Sequence, residues 1–197
     1  MRSSALLLIP DAIDRFGSRV RAVLGDRWND PTPCTEWAVR DLVNHMVFEH
    51  LWAPHVLAGE TLEQVGDRYD GDVVGSDPVG AWERAASRSR PAWAGVDPSA
   101  TVHLSFADAP LSMYADQMLL DLTVHQWDLA RGSGQDESLD PEAVELALAY
   151  ARDNVDRFAG VGIVDPPIPC TSDDPTVQLL ALVGRDATIG FTRVHGA

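Results

Sequence analysis

Residues 112–131, SMYADQMLLDLTVHQWDLAR, decide the fold class of this 197-residue chain. Apolar side chains recur in this stretch at helical spacing, and Gly132 follows its last turn. These apolar positions are Met113, Met118, Leu119, Leu122, Val124 and Leu129. Asp121 and His125 are four residues apart, so their side chains project from one face of the predicted helix. The stretch therefore predicts a long core helix that also carries polar chemistry.

Other stretches of the chain show the same helical pattern, each bounded by cap or turn signals. They are residues 7–25, residues 36–57 with Thr35 as N-cap, residues 77–90 ending at Pro91, residues 140–158, and residues 174–183. Residues 101–106 alternate as a lone short strand does, and residues 59–75 are typical of a polar loop. The pattern predicts an all-α protein: an antiparallel four-helix bundle with a short accessory strand and a C-terminal helix.

The length of the chain suits one domain with a sizeable core. We therefore expect residues 1–197 to form a single domain. Its bundle core covers about residues 7–158, and residues 159–197 form an accessory C-terminal segment.

The charge balance excludes two classes of partner. Lys and Arg number 15 against 30 Asp and Glu, so the net charge is −15. Such a field repels nucleic acids and anionic membrane surfaces. No apolar run approaches the roughly 20 residues of a membrane span, and the apolar stretch Ala5–Ile9 is too short for a signal peptide. With Cys34 and Cys170 as the two cysteines, no disulfide framework is expected, so a cytoplasmic protein is predicted.

Three polar residues on two predicted core helices form a candidate metal site. A carboxylate and an imidazole at the spacing of Asp121 and His125 are a common way for a bundle helix to hold one ion. His45, midway along the second long helix, is the natural third ligand. Two imidazoles and one carboxylate leave open coordination positions, as in catalytic zinc or ferrous iron sites. The alternative is that these side chains are hydrogen-bonded core residues with no ion.

Several other polar residues have two interpretations each. Asp128 and Glu49 either orient an imidazole or are solvated charges. Cys34, in a proline-flanked loop, is interpreted as structural or incidental, because the sequence identifies no base beside it. The six tryptophans are expected in the core and in pocket walls, with none aligned for stacking.

Three segments of the chain resemble a known family. Residues 31–45, PTPCTEWAVRDLVNH, closely resemble the PTPC-x-x-W-x-V-x-x-L-x-x-H opening of actinobacterial metal-binding proteins related to mycothiol-dependent maleylpyruvate isomerase. Residues 121–130, DLTVHQWDLA, look like the second signature of that family, and residues 179–186, LLALVGRD, are similar to its usual ending. The resemblance implies a DinB-like four-helix bundle that binds a divalent metal ion.

The resemblance also implies ligands and a cosubstrate. Its ligand positions fall on His45, Asp121 and His125, with zinc as the expected ion and iron or nickel as alternatives. Mycothiol is the implied thiol. Two departures matter: Asp121 replaces the longer glutamate of the isomerase, and only about 40 residues follow the fifth helix where the isomerase has a further C-terminal domain. Isomerase activity therefore does not transfer with the fold.

Two functional hypotheses follow. The first is a metal-dependent, thiol-using transferase or isomerase that acts on a small electrophile, because a metal ion with an open position deprotonates a bound thiol. Arg84 and Arg88 are candidates for binding an acidic substrate or cosubstrate, with a solvated helix face as the alternative. The second hypothesis is a non-catalytic metal-binding or stress-response protein. A homodimer is expected from analogy alone.

Overall fold

A computed structural model describes residues 4–105, 107–160 and 164–188, with the backbone alone described for residues 155–160. These residues form seven α-helices, a 3₁₀ turn (Arg27–Asn29) and one two-stranded sheet. The helices are α1 (Ser4–Ala22), α2 (Val39–Leu57), α3 (Leu62–Val65), α4 (Pro78–Gly95), α5 (Leu111–Ser133), α6 (Pro141–Gly160) and α7 (Pro175–Leu182). Strands β1 (Thr101–His103) and β2 (Asp108–Pro110) pair antiparallel. The predicted all-α class is confirmed.

The four long helices α1, α2, α4 and α5 enclose one apolar core. Helix α1 packs against α4 and α5, and α2 packs against the same two helices, so the four form a closed bundle. Large, fully buried side chains come from each of them, including Phe16, Leu42, Met46, Trp82, Trp93, Leu119 and Leu122. Burial of this apolar surface supplies the main driving force for the fold.

Helix α5 is buried on almost all sides. Its second face, at Leu120 and Val124, packs against Val144 and Leu148 of α6 and against Leu179 of α7. The polar side chains on the buried faces of such a helix have little contact with water, so each of them needs a hydrogen-bond or ionic partner inside the protein. Helix α5 is the element that carries Asp121, His125 and Asp128.

The start of the second helix differs from the prediction. Helix α2 begins at Val39 rather than at residue 36, and Thr35 is not its N-cap. The residue before the helix is Ala38, whose N–H donates to the Asp41 carboxylate. Glu36 has φ of +69°, a left-handed conformation that interrupts a right-handed helix. The first helix also differs in its bounds, since α1 covers Ser4–Ala22 rather than residues 7–25.

The third predicted helix extends beyond its predicted end, whereas the predicted strand ends earlier, at His103. Helix α4 continues through Pro91 to Gly95, because burial of Trp93 in the core offsets the backbone hydrogen bond that proline cannot make. The predicted strand is not alone: β1 pairs with β2, and Phe106 lies outside the described residues. The polar loop at residues 59–75 contains the one-turn helix α3. Within the described part of the chain, no helix combines the length and apolarity needed to cross a membrane.

The contact between α1 and α4 requires a glycine. A Cβ added at Gly17 would lie 2.6 Å from Nε1 of Trp82, whose ring is held by Phe16 and His50. We expect Gly17→Ala to lower the free energy of unfolding by about 1–3 kcal/mol, because the packed indole has no room to move. Gly95→Ala is the matched control: its Cβ meets open space, so a change within about 1 kcal/mol, towards higher stability, is expected. Urea denaturation measures both, and equal effects would contradict the account.

A buried histidine makes stability depend on pH. His50 of α2 is fully buried, its Nδ1 is bonded to Ser89 Oγ at 2.8 Å, and burial lowers its pKa from 6.5 to about 4. The unfolded chain takes up this proton near pH 6.5 while the folded chain does not, so stability falls as the pH drops from about 6.5 towards 4. Between pH 7 and 4.5 the loss from His50 is about 2–3 kcal/mol.

Denaturation of the wild type and of His50→Asn, both in EDTA, tests this dependence. The amide of asparagine can bond Ser89 but does not titrate, so the variant is expected to lose about 2–3 kcal/mol less than the wild type over the same pH range. Identical pH profiles would show that His50 is not the source.

Candidate metal centre

The three predicted ligands meet where α2 faces α5. The distance from His125 Nε2 to Asp121 Oδ1 is 3.3 Å, and the distance from His45 Nε2 to Asp121 Oδ2 is also 3.3 Å. One ligand atom from each of the three residues lies within 4.8 Å of the others. The structure therefore brings together the three residues that the sequence singled out. That they hold an ion stays a prediction.

The donor set and its spacing fit a divalent ion. Two ligand atoms on one tetrahedral zinc ion, each about 2.0–2.1 Å from it, stand about 3.3–3.4 Å apart. The two nitrogen–oxygen separations around Asp121 have that length, with His45 facing Oδ2 and His125 facing Oδ1 of the same carboxylate. Imidazole nitrogen and carboxylate oxygen suit zinc as well as ferrous iron.

The charges around Asp121 also favour a cation. Burial by itself raises the pKa of the Asp121 carboxyl, but the imidazoles of His125 and His45 outweigh burial and hold that pKa well below its usual range. Burial by itself lowers the pKa of His125, whereas the carboxylates of Asp121 and Asp128 raise it to about 9. The protein thus concentrates negative charge at a place where two imidazole nitrogens converge, and a divalent cation compensates such charge.

His125 is oriented from behind by a buried carboxylate. Its Nδ1 lies 3.0 Å from Oδ2 of Asp128, whose side chain is 0% exposed. With that nitrogen bonded to Asp128, Nε2 is the one that faces Asp121. Of the two interpretations of Asp128, the hydrogen bond to His125 agrees with the one in which Asp128 orients an imidazole, and this arrangement is common at metal-ligating histidines.

The indole of Trp37 covers both imidazoles. Its ring lies 4.9 Å from the ring of His45 and stacks on His125 at 5.7 Å. The loop holds it there, because the carbonyl of Trp37 accepts hydrogen bonds from the Thr32 N–H and hydroxyl. The expectation that no tryptophan is aligned for stacking was therefore wrong for Trp37.

One side of the site is open. The side chains of His45 and Asp121 are 26% and 30% exposed, whereas that of His125 is 9% exposed. A cleft at this side is lined by Trp37, Asp41, Asn44, His45 and Phe48. An ion on the three ligands would therefore keep positions for a molecule that enters from the cleft.

A second group of possible ligands shares His125 and fits an ion poorly. It consists of Cys34, His125 and Asp128. Both oxygens of Asp128 already accept hydrogen bonds from Arg185, at 3.4 and 3.2 Å, and a guanidinium repels a metal cation. Burial raises the pKa of the Cys34 thiol to about 11, so without a bound ion this sulfur is protonated at neutral pH and is not a strong nucleophile. The interpretation of Cys34 as structural agrees with these surroundings.

The remaining candidates lie outside the ligand set. Arg84 and Arg88 are exposed on α4, and Arg84 lies 3.7 Å from Asp77, which supports the solvated helix face. Glu49 lies one turn after His45 on α2, and burial followed by the charge of Asp121 raises its pKa to about 7. Glu49 is half-buried, and none of the described hydrogen bonds joins it to an imidazole.

Two contributors to the site were missed in the sequence. Trp37 belongs to the first resembling segment and Arg185 to the last, so the motifs marked both residues without giving their roles. The stacking of Trp37 depends on a loop conformation, and the contact of Arg185 with Asp128 joins residues 57 positions apart. Helical periodicity carries no signal for either.

The chain is similar to one known protein family and to two uncharacterized proteins. A family model described as mycothiol maleylpyruvate isomerase N-terminal domain matches residues 9–130. Two uncharacterized proteins of Mycobacterium tuberculosis, from strains CDC 1551 / Oshkosh and ATCC 25618 / H37Rv, are each 32% identical over 184 residues, which cover 88% of this chain and 93% of the relative. No solved structure matches. The span matched by the family model contains all three predicted ligands and Asp128, whereas Arg185 lies beyond it.

Removal of either histidine ligand tests the centre. We expect His45→Ala and His125→Ala to weaken zinc binding by about 100-fold or more, because two donors hold an ion far less tightly than three. His103→Ala is the matched control, since His103 is half-buried on β1, outside the ligand group, and bonds Asp108 instead. Chelator competition measures the affinities on folded protein. Wild-type affinity in both ligand variants would exclude this site.

Proposed function

Since the chain belongs to the mycothiol maleylpyruvate isomerase N-terminal domain family, we propose that it is a divalent-metal-dependent enzyme that joins a low-molecular-weight thiol to a small electrophile. The thiol is of the mycothiol class, and the reaction is an S-transfer or a thiol-assisted isomerisation. The observation that carries the proposal is the convergence of His45, Asp121 and His125 beside an open cleft.

The ligand set determines the chemistry that a bound ion can supply. His45, Asp121 and His125 would hold the ion, with zinc as the first candidate. When bound, such an ion acts as a Lewis acid that makes a thiol ionise at neutral pH. In this proposal the thiol comes from outside the chain, because Cys34 does not belong to the group of His45, Asp121 and His125 and its thiol has a pKa raised by burial to about 11.

The chain's own residues arrange the reactants. Trp37 covers the imidazoles and excludes water from one side, while Phe48 adds a second aromatic wall to the cleft. Asp128 fixes the ring of His125, so that the site keeps its shape while a substrate enters. Of the lining residues, His45 belongs both to the cleft and to the ligand set, so an electrophile in this cleft would lie beside a thiol held at the ion.

The bonds change as follows in the proposed reaction. The sulfur of the ionised thiol adds to one carbon of an activated double bond, and the π electron pair moves to the neighbouring carbon, which takes up a proton equivalent to the one the thiol lost. If the adduct stays, the product is a thioether conjugate. If the bond rotates and the same proton and thiolate leave, the product is the isomerised alkene. Atoms and electrons balance in both outcomes without an oxidant or reductant.

Turnover with and without the thiol tests the proposal. Zinc-loaded protein is incubated with mycothiol and a panel of small activated alkenes that includes maleylpyruvate, and product masses are followed over time. We expect thiol-dependent turnover of at least one member of the panel and a loss of about 100-fold or more in His125→Ala.

One control variant and one defined outcome make this assay decisive. His103→Ala is expected to keep wild-type turnover, because His103 lies on the hairpin and bonds Asp108. Zinc binding with no thiol-dependent turnover across the panel would contradict the enzyme and favour a non-catalytic metal-binding protein.

A further inference from the structure

The segment after α7 brings a buried guanidinium to α5. Gly184, at φ of +80°, turns the chain at this point, and a Cβ there would collide with the side chain of Asp165. The turn places Arg185 with only 4% of its side chain exposed. Its Nε donates to Oδ1 of Asp128 at 3.4 Å, and its Nη2 donates to Oδ2 at 3.2 Å. One guanidinium thus contacts both oxygens of the carboxylate that orients His125.

Arg185 is the charged partner of Asp128 once His125 is a ligand. A histidine that binds a cation through Nε2 is neutral, and its Nδ1–H then offers Asp128 one hydrogen bond without a positive charge. Asp128 has no exposure to water, and an isolated buried carboxylate is strongly unfavourable. Within the described residues, two side chains hydrogen-bond Asp128: those of His125 and Arg185. Of these two, Arg185 keeps its positive charge when His125 binds an ion.

We propose that Arg185 is a positioning residue of the metal centre: its guanidinium holds the Asp128 carboxylate in place, and Asp128 in turn holds the His125 ring with Nε2 towards Asp121. This inference rests on the proposed metal site. It extends that site to a segment beyond residues 9–130, the part of the chain that matches the family model. The bundle alone would then hold an incomplete centre.

Arg185 also connects the ligand-bearing helix with the Trp37 loop. Its Nη1 lies 3.7 Å from Asp165, and that carboxylate accepts a hydrogen bond of 2.9 Å from the hydroxyl of Thr35. Thr35 is two residues from Trp37, whose ring covers the imidazoles. The same guanidinium therefore supports the site through α5 and through the loop.

The rival explanation is that Arg185 only fastens the C-terminal segment to the bundle. A second arginine separates the two roles. Arg131 of α5 donates to the carbonyl oxygen of Asp186 at 2.9 Å and to that of Ala187 at 3.3 Å, so it fastens the same segment. None of its described hydrogen bonds involves Asp128. Arg131→Gln therefore loosens the segment and leaves the contact between Arg185 and Asp128 in place.

The experiment measures zinc affinity by chelator competition on folded, full-length protein at 10 °C, with circular dichroism as the check on folding. The variants are Asp128→Asn, Arg185→Gln, Arg185→Lys, the double variant Asp128→Asn/Arg185→Gln, and Arg131→Gln. We expect Asp128→Asn and Arg185→Gln each to weaken zinc binding by about 10–100-fold. Arg185→Lys, which keeps the charge and loses the two-pronged contact, is expected to fall between Arg185→Gln and the wild type.

The double variant tests whether Arg185 acts through Asp128. If it does, adding Arg185→Gln to Asp128→Asn changes the affinity by no more than about 2-fold, whereas independent effects would multiply. Arg131→Gln is expected to keep wild-type affinity even where it lowers the melting temperature. If Arg185→Gln does not fold, the comparison of Arg185→Lys with Arg131→Gln carries the test.

Each remaining outcome overturns a defined statement. Wild-type zinc affinity in Asp128→Asn and in the Arg185 variants would overturn the positioning role and leave the proposed function standing. Multiplicative effects in the double variant, or an equal loss of affinity in Arg131→Gln, would reduce Arg185 to a structural fastener. A wild-type protein that binds no zinc would overturn the proposed function and this inference together.

Discussion

The rest of the site depends on the contacts of one buried carboxylate. Asp128 is enclosed between the imidazole of His125 and the guanidinium of Arg185. A carboxylate without access to water must be paired, and each of its two partners comes from a different part of the chain. Helix α5 supplies His125, and the turn after α7 supplies Arg185. The bundle and the C-terminal segment are thereby joined at the point where the ligands are oriented.

This arrangement exists because α5 is covered on two faces. Helices α1 and α2 pack on one side of it, and α6 and α7 form an apolar cluster on the other. Such a position excludes water and makes every polar contact inside more selective. In the part of the chain that the structure describes, the acidic side chains tied to His125 by hydrogen bonds or ion pairs are those of Asp121 and Asp128, although the chain has 30 acidic residues and a net charge of −15. The excess negative charge predicts that polyanions are not partners, and it does not identify the chemistry.

The sequence predicted those parts of the molecule that follow from local periodicity. The spacing of Asp121 and His125 placed both on one helix face, and the apolar pattern around His45 placed it in a core helix; family resemblance joined the three. The convergence of His45 on Asp121 is a tertiary contact between residues 76 positions apart, and the structure was needed to show it.

The parts that the sequence did not predict are set by non-local or irregular geometry. Trp37 reaches the imidazoles through a loop in which Glu36 has a positive φ, although glutamate has no preference for that conformation. Thr35 has the usual chemistry of an N-cap, yet Asp41 bonds the N–H of Ala38 and the helix starts later. Strand β2 contains Asp and Pro, which strands disfavour, and is held by its pairing with β1.

X-ray absorption at the zinc K-edge of the zinc-loaded, thiol-free protein measures directly which atoms bind the ion. The structure predicts a first shell of two imidazole nitrogens and carboxylate or water oxygen at about 2.0–2.1 Å, with no sulfur. A zinc–sulfur distance of about 2.3 Å would place the ion on Cys34, His125 and Asp128 instead, and would contradict the assignment to His45, Asp121 and His125.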